Sequence, residues 1–163
     1  MDKLLSDVLR ILREEVGLYR ALIEHARRKT ALLVQGHTEE ILESNKTEET
    51  FNLKLRILEN EMSRLCHELC QIIKIPHEEF TLLRLADGVN QPVAAEIKIQ
   101  ANLFKHLVDE LKSVNCRNSR LIESSVRYSR GLLNLLCGST GSYQHDGLFR
   151  PAHAVQTTLS RRA

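Results

Sequence analysis

The chain has 163 residues, of which 42% are hydrophobic and only 4% aromatic, and it contains no tryptophan. Basic and acidic residues number 23 and 21, giving a formal net charge of +2. This balance argues against a nucleic-acid footprint, in which basic residues cluster on one face. The length is sufficient for one domain with a hydrophobic core, but so few aromatic residues offer no aromatic-lined pocket for a small molecule.

The first predicted helix begins near the N-terminus and ends at Gly36. Its apolar residues recur every three or four positions from Leu4 to Leu33, which is the pattern of one buried helix face. A glycine just past the last apolar residue is a common signal for a helix C-terminus. Thr38 follows as the predicted N-cap of the second helix, and the two glutamates after it suit a first turn.

The second predicted helix carries the strongest signal in the sequence. It runs from Thr38 to about Ile75 and stops before Pro76. Its apolar residues are alternately four and three positions apart, namely Phe51, Leu55, Leu58, Met62, Leu65, Leu69 and Ile72. Because this spacing keeps one side of a helix apolar for about three heptads, that side must bury against another helix.

A short helix is predicted from His77 to Ala86. Pro92 then fits the first turn of a last long helix, whose apolar stripe runs from Ile97 to Leu136.

The sequence therefore predicts an all-α fold. We expect an elongated antiparallel helical bundle or coiled coil of three long helices and one short helix over residues 1–137. From residue 138 onward periodicity disappears and small and polar residues dominate, so residues 138–163 are predicted to form a flexible C-terminal tail.

The end of the last helix permits two interpretations. After Val114 the stripe weakens, since Asn115 and Asn118 fall on or beside the core face, yet the residues beyond are strongly apolar. In one interpretation these residues pack on the first two helices while the asparagines fix the register. In the other, this end projects past the bundle and offers its apolar face to a partner helix.

The sequence shows no motif for catalysis, a cofactor or a metal. Cys66 and Cys70 lie one helical turn apart, but a structural zinc site needs four ligands, and Cys116 and Cys137 stand alone. With no signal peptide before Ser6, the cysteines indicate free thiols in a reducing cytoplasm. The apolar runs are too short for a transmembrane helix.

A series of short motifs resembles one known family. They are Glu15-x-x-x-Tyr19, Gly36 before Thr38-Glu39, Glu48-Glu49, Leu58-Glu59, Asn118-x-x-Leu121-Ile122 and Tyr143-x-x-Asp146-Gly147. In this order, over residues 3–148, they are similar to the FlgN family of flagellar type III export chaperones.

The resemblance implies a cytoplasmic chaperone without catalytic residues or cofactors. Its expected cargo is the C-terminal helical segments of hook-associated proteins of the FlgK and FlgL type, which it would keep from premature assembly and deliver to the export gate. The residues that match the family's cargo-binding helix are Leu121, Ile122, Val126, Leu132, Leu133, Leu135 and Leu136. Those that match its docking segment for the cytoplasmic domain of the gate protein FlhA are Tyr143, Asp146 and Gly147.

Two other classes of function remain open from the residues alone. A structural coiled-coil protein would use the same stripes to assemble with itself. A regulatory adaptor would sequester a helical partner unrelated to flagella. Neither alternative calls for a nucleic acid or stable insertion into a membrane.

Overall fold

The computed structural model describes residues 1–74, 76 and 80–136, together with the backbone of residues 142–143 and 149–150. Within these residues the helices are α1 (Asp2–Gln35), α2 (Thr38–Ile73), α3 (Leu82–Asp87) and α4 (Val93–Leu136). Two short strands, β1 (Ser142–Tyr143) and β2 (Phe149–Arg150), pair antiparallel. Three long helices and one short helix confirm the predicted all-α bundle.

The chain divides into two compact units, Met1–Ser119 and Arg120–Ala163. The first unit holds α1, α2, α3 and the larger part of α4. The second holds the rest of α4 and the β1–β2 pair. The predicted boundary between residues 137 and 138 falls outside the described residues, so it stays a prediction, as does the flexibility of 138–163.

The ends of the helices agree with the sequence only in part. Gly36 has a φ of 74° and its N–H donates to Leu32 O, which confirms the predicted glycine at the end of α1. The prediction that Thr38 caps α2 is wrong, because His37 is the N-cap and Thr38 is already helical. The short helix begins after Thr81, whose side chain accepts a hydrogen bond from the Arg84 N–H, instead of at the predicted His77.

Ion pairs between the helices define their directions. Arg10 pairs with Glu61, 51 residues away, whereas Lys29 pairs with Glu48, only 19 residues away. The separation in sequence between paired residues falls along α1, which shows that α1 and α2 are antiparallel.

The ion pairs between α1 and α4 have a constant separation in sequence. Arg13 pairs with Glu96 and Arg27 pairs with Glu110, both at a separation of 83 residues. A constant separation makes α1 and α4 parallel, so α2 runs against both of them.

The apolar core surrounds the first half of α1. Val8 and Ile11 are fully buried there, in one cluster with Leu65 and Leu69 of α2 and Ile97 of α4. Full burial of each such side chain stabilises the fold by about 1.5–3 kcal/mol. A smaller cluster follows, with Val16, Ile23 and Leu107 at its centre.

Polar contacts join the apolar ones in the second half of α1. Lys29 Nζ donates to Glu48 Oε2 at 2.6 Å. Asn118 of α4 is 5% exposed; its Nδ2 donates to Ala26 O at 3.0 Å, and its Oδ1 accepts from Thr30 Oγ1 at 2.6 Å. A buried amide that lost these partners would be costly, so Asn118 fixes the register of α4 on α1.

Glu15 is a buried carboxyl group in the apolar part of α1. It is 5% exposed, and burial raises its pKa from the ordinary value of 4.5 to about 7, with a smaller contribution from the nearby charge of Glu59. The folded chain therefore holds this proton more tightly than the unfolded chain does. Stability is then lost as the pH rises from about 4.5 to about 7, and the loss levels off above that range.

We expect Glu15→Gln to remove this loss. The variant should be more stable than the parent chain at pH 8, by an amount on the order of 3 kcal/mol, and about equal to it at pH 4. Urea unfolding of both proteins at the two pH values measures the difference. Glu59→Gln, which removes only the smaller cause, should retain most of the pH dependence. An equal gain for Glu15→Gln at both pH values would contradict the assignment.

Candidate partner-binding surfaces

The unit that begins at Arg120 exposes a large apolar surface on α4. Leu135 is 82% exposed, Leu133 58%, and Ile122, Val126 and Leu132 each just over 40%. These five side chains and the half-buried Leu121 form what we call the α4 face. Six of the seven residues predicted to bind cargo thus lie on it, and the seventh, Leu136, ends α4 with its side chain outside the described part of the chain.

Helical geometry makes the α4 face suitable for contact with another helix. At 100° per residue, the α4 face covers about half of the helix circumference. Ser125 and Ser129 lie near its middle, where their short side chains leave room for the larger side chains of another helix. A contiguous exposed apolar surface of this kind is typical of interaction sites.

A shallow groove of about 640 Å³ runs along one edge of the α4 face. It is lined by Ile122, Val126, Arg127, Arg130 and Gly131, with Glu123 and Asn134 beside them. A Cβ atom added to Gly131 would meet nothing within 4 Å. The groove therefore joins apolar side chains to basic ones and stays open above the glycine.

The Met1–Ser119 unit has a second apolar groove, which the sequence analysis did not identify. It lies between α1 and α2, has a volume of about 410 Å³, and is lined by Gly17, Ala21, Ile57 and their neighbours. Ile57 is 65% exposed. Two signals in the sequence mark this groove, namely a glycine inside a helix and an isoleucine outside the heptad stripe.

No three His, Cys, Asp or Glu side chains of the described residues could share a metal ion. Burial raises the pKa of the Cys66 thiol to about 11, and such a thiol is a weak nucleophile. None of the described helices combines the length and apolar character that crossing a membrane requires.

The three residues predicted to dock the export gate fall in or next to the β1–β2 pair. Tyr143 belongs to β1, and its backbone lies opposite that of Phe149. Nothing is described of its side chain, and Asp146 and Gly147 lie outside the described residues. These assignments therefore stay predictions.

Comparison with known proteins gives one match. The model of a protein family described as FlgN protein matches residues 1–150 of the chain. No curated protein and no solved structure matches it.

The exposure of the α4 face has a direct consequence for stability. Replacing Leu132 and Leu133 with Asp should leave the helical content and the unfolding midpoint of the Met1–Ser119 unit within experimental error, because both side chains already contact water. Leu65→Asp is the matched control. Since Leu65 is 2% exposed, a buried charge there should destabilise the bundle by several kcal/mol. Circular dichroism with thermal unfolding measures both effects, and a collapse of the double variant would show that the α4 face belongs to a core.

Proposed function

Because the chain belongs to the FlgN family, we propose that it is a cytoplasmic export chaperone for hook-associated flagellar proteins of the FlgK and FlgL type. FlgN proteins are chaperones of flagellar export, not enzymes. The proposal adds the cargo, the surface that binds it and the step that follows. The α4 face covers the C-terminal helical segment of the cargo, and the chaperone then delivers this cargo to the export gate.

The observation that carries the proposal is the exposure of the α4 face. A cargo segment that forms a coiled coil only on assembly has an apolar stripe that lacks a partner beforehand. Such a stripe associates with copies of itself unless another helix covers it. Leu132, Leu133 and Leu135 offer the apolar side chains that such a cover needs.

The energetics suit reversible capture. Coupled folding and binding of a helical segment typically buries about 1,000–3,000 Å². At about 25 cal/mol per Å² of apolar area the favourable contribution is large, but ordering the cargo segment and holding it in place offsets much of it. The remaining affinity protects the cargo and still permits release.

Delivery is assigned to Tyr143 with Asp146 and Gly147. The pairing of β1 with β2 brings together the backbone on either side of residues 144–148, and Asp146 and Gly147 lie within that segment of the sequence. The cytoplasmic domain of FlhA is the proposed docking partner. Cargo and gate are then bound by different parts of the chain.

We expect the chain to co-purify with a FlgK-type or FlgL-type protein and to lose the complex when the cargo lacks its C-terminal segment. Leu132→Asp/Leu133→Asp should abolish the complex, because two charges would enter a desolvated helix contact. Light scattering of the co-purified material measures the stoichiometry.

Ile57→Asp is the matched control. It places one such charge on the α1–α2 groove, at a residue that is 65% exposed, and should leave the complex intact. If Ile57→Asp removes the complex and the α4 double variant does not, the cargo binds the other groove and the assigned surface is wrong. Self-association of the chain without any cargo complex would favour the structural coiled-coil class.

Tyr143→Ala should separate the two activities. The affinity for cargo should be unchanged, while binding of the chaperone–cargo complex to the cytoplasmic domain of FlhA should weaken at least several-fold. Calorimetry with each partner in turn measures both. Phe149→Ala, at the position paired with Tyr143, controls for loss of the strand pair. A loss of cargo affinity in Tyr143→Ala would contradict this division.

A further inference from the structure

Positive charge is concentrated beside the α4 face. Between Arg120 and Arg130 the sequence has three arginines and a single glutamate, although the whole chain has a net charge of only +2. All three arginines are exposed. The proposed cargo surface is therefore locally basic in a chain that is nearly neutral.

Arg127 and Arg130 differ in their contacts from many arginines of the bundle. In the Met1–Ser119 unit, Arg10, Arg13 and Arg27 each pair with a glutamate on another helix. For Arg127 and Arg130, the described residues provide no ion pair and no side-chain hydrogen bond. As far as the described residues go, their guanidinium groups are available to carboxylates of a partner.

Arg127 and Arg130 border the edge of the α4 face that Ile122 and Val126 form, with Glu123 beside them. Ile122, Val126 and Arg130 are four residues apart and form one ridge of the helix, and Arg127 lies on the next ridge. All four line the same groove. The opposite edge is formed by Tyr128 and Leu135, which are 69% and 82% exposed and carry no charge.

We propose that the segment bound by the α4 face is an amphipathic helix with acidic side chains along one edge of its apolar stripe, placed to meet Arg127 and Arg130. This inference rests on the proposed function and adds the chemistry of the partner. Apolar contacts hold the partner helix on the α4 face, and its carboxylates determine its orientation. A helix with lysines along that edge is rejected, since like charges would face each other.

Charges at the rim of an interface act mainly on association. They steer the partner during the encounter and make the rate sensitive to salt, whereas the desolvated centre sets the dissociation rate. The two arginines should therefore speed up capture of a cargo segment without making the complex much harder to dissociate. Fast capture is useful where the unprotected segment would otherwise associate with itself.

The test uses the full chain and two synthetic helical peptides with the same leucine stripe, one carrying glutamates along one edge and the other glutamines. At 50 mM salt the glutamate peptide should associate roughly tenfold faster, with similar dissociation rates for the two. The advantage should vanish at 500 mM salt and in Arg127→Gln/Arg130→Gln. Arg20→Gln/Arg28→Gln is the matched control, because both residues are exposed arginines of α1, and it should keep the advantage. Circular dichroism verifies that both double variants are folded.

Equal association rates for the two peptides at low salt would overturn the inference, and so would an advantage that persists in Arg127→Gln/Arg130→Gln. The C-terminal segment of a FlgK-type protein separates this failure from failure of the proposed function. If that segment binds the parent chain at a rate that neither salt nor the arginine substitutions change, the chaperone proposal stands and the acidic-edge inference falls. If the segment does not bind at all, both fall.

Discussion

The burial of α1 on two sides is the constraint on which the rest of the bundle depends. Eleven residues of α1 are buried, against five in α2, so α1 is the helix that the others cover. An antiparallel α2 and a parallel α4 each take one side of it. The pairs Arg10–Glu61 and Arg27–Glu110 lie at the edges of these two contacts and are consistent with a register that the buried leucines and isoleucines set. Being exposed, such pairs contribute little stability themselves.

The character of the α1 contacts changes along its length, and this change bears on the candidate site. Around Val8 and Ile11 the contacts are apolar, and substitutions of similar size are tolerated there. Near Lys29 and Asn118 they are polar and directional, so a shift of register would leave buried groups without partners. The residues assigned to cargo begin in the sequence three positions after Asn118. The chain thus fixes α4 most specifically just before the segment that it leaves exposed.

Periodicity was sufficient to predict the three long helices and their approximate bounds, because each depends on a long stripe and a clear stop such as Gly36. It could not predict that His37 would precede the first turn of α2, since capping is decided by one backbone conformation. The groove beside Gly17 and Ile57 was missed, because a glycine inside a helix and an apolar residue off the stripe become informative only when the fold brings them together. The α4 face was located but not assigned to core or surface. An apolar stripe shows that a helix face packs against another helix. It contains no information on whether that helix belongs to the same chain or to a partner.

Gly131 gives the α4 face a thermodynamic property that its apolar residues alone would not have. A glycine inside a helix lowers its intrinsic stability by about 1 kcal/mol relative to alanine, because the unfolded backbone has more conformational entropy to lose. The C-terminal end of α4 therefore gains more order from a bound partner than it would with alanine at this position. Binding at this surface should have a more favourable enthalpy and a less favourable entropy, so its affinity declines more steeply as the temperature rises.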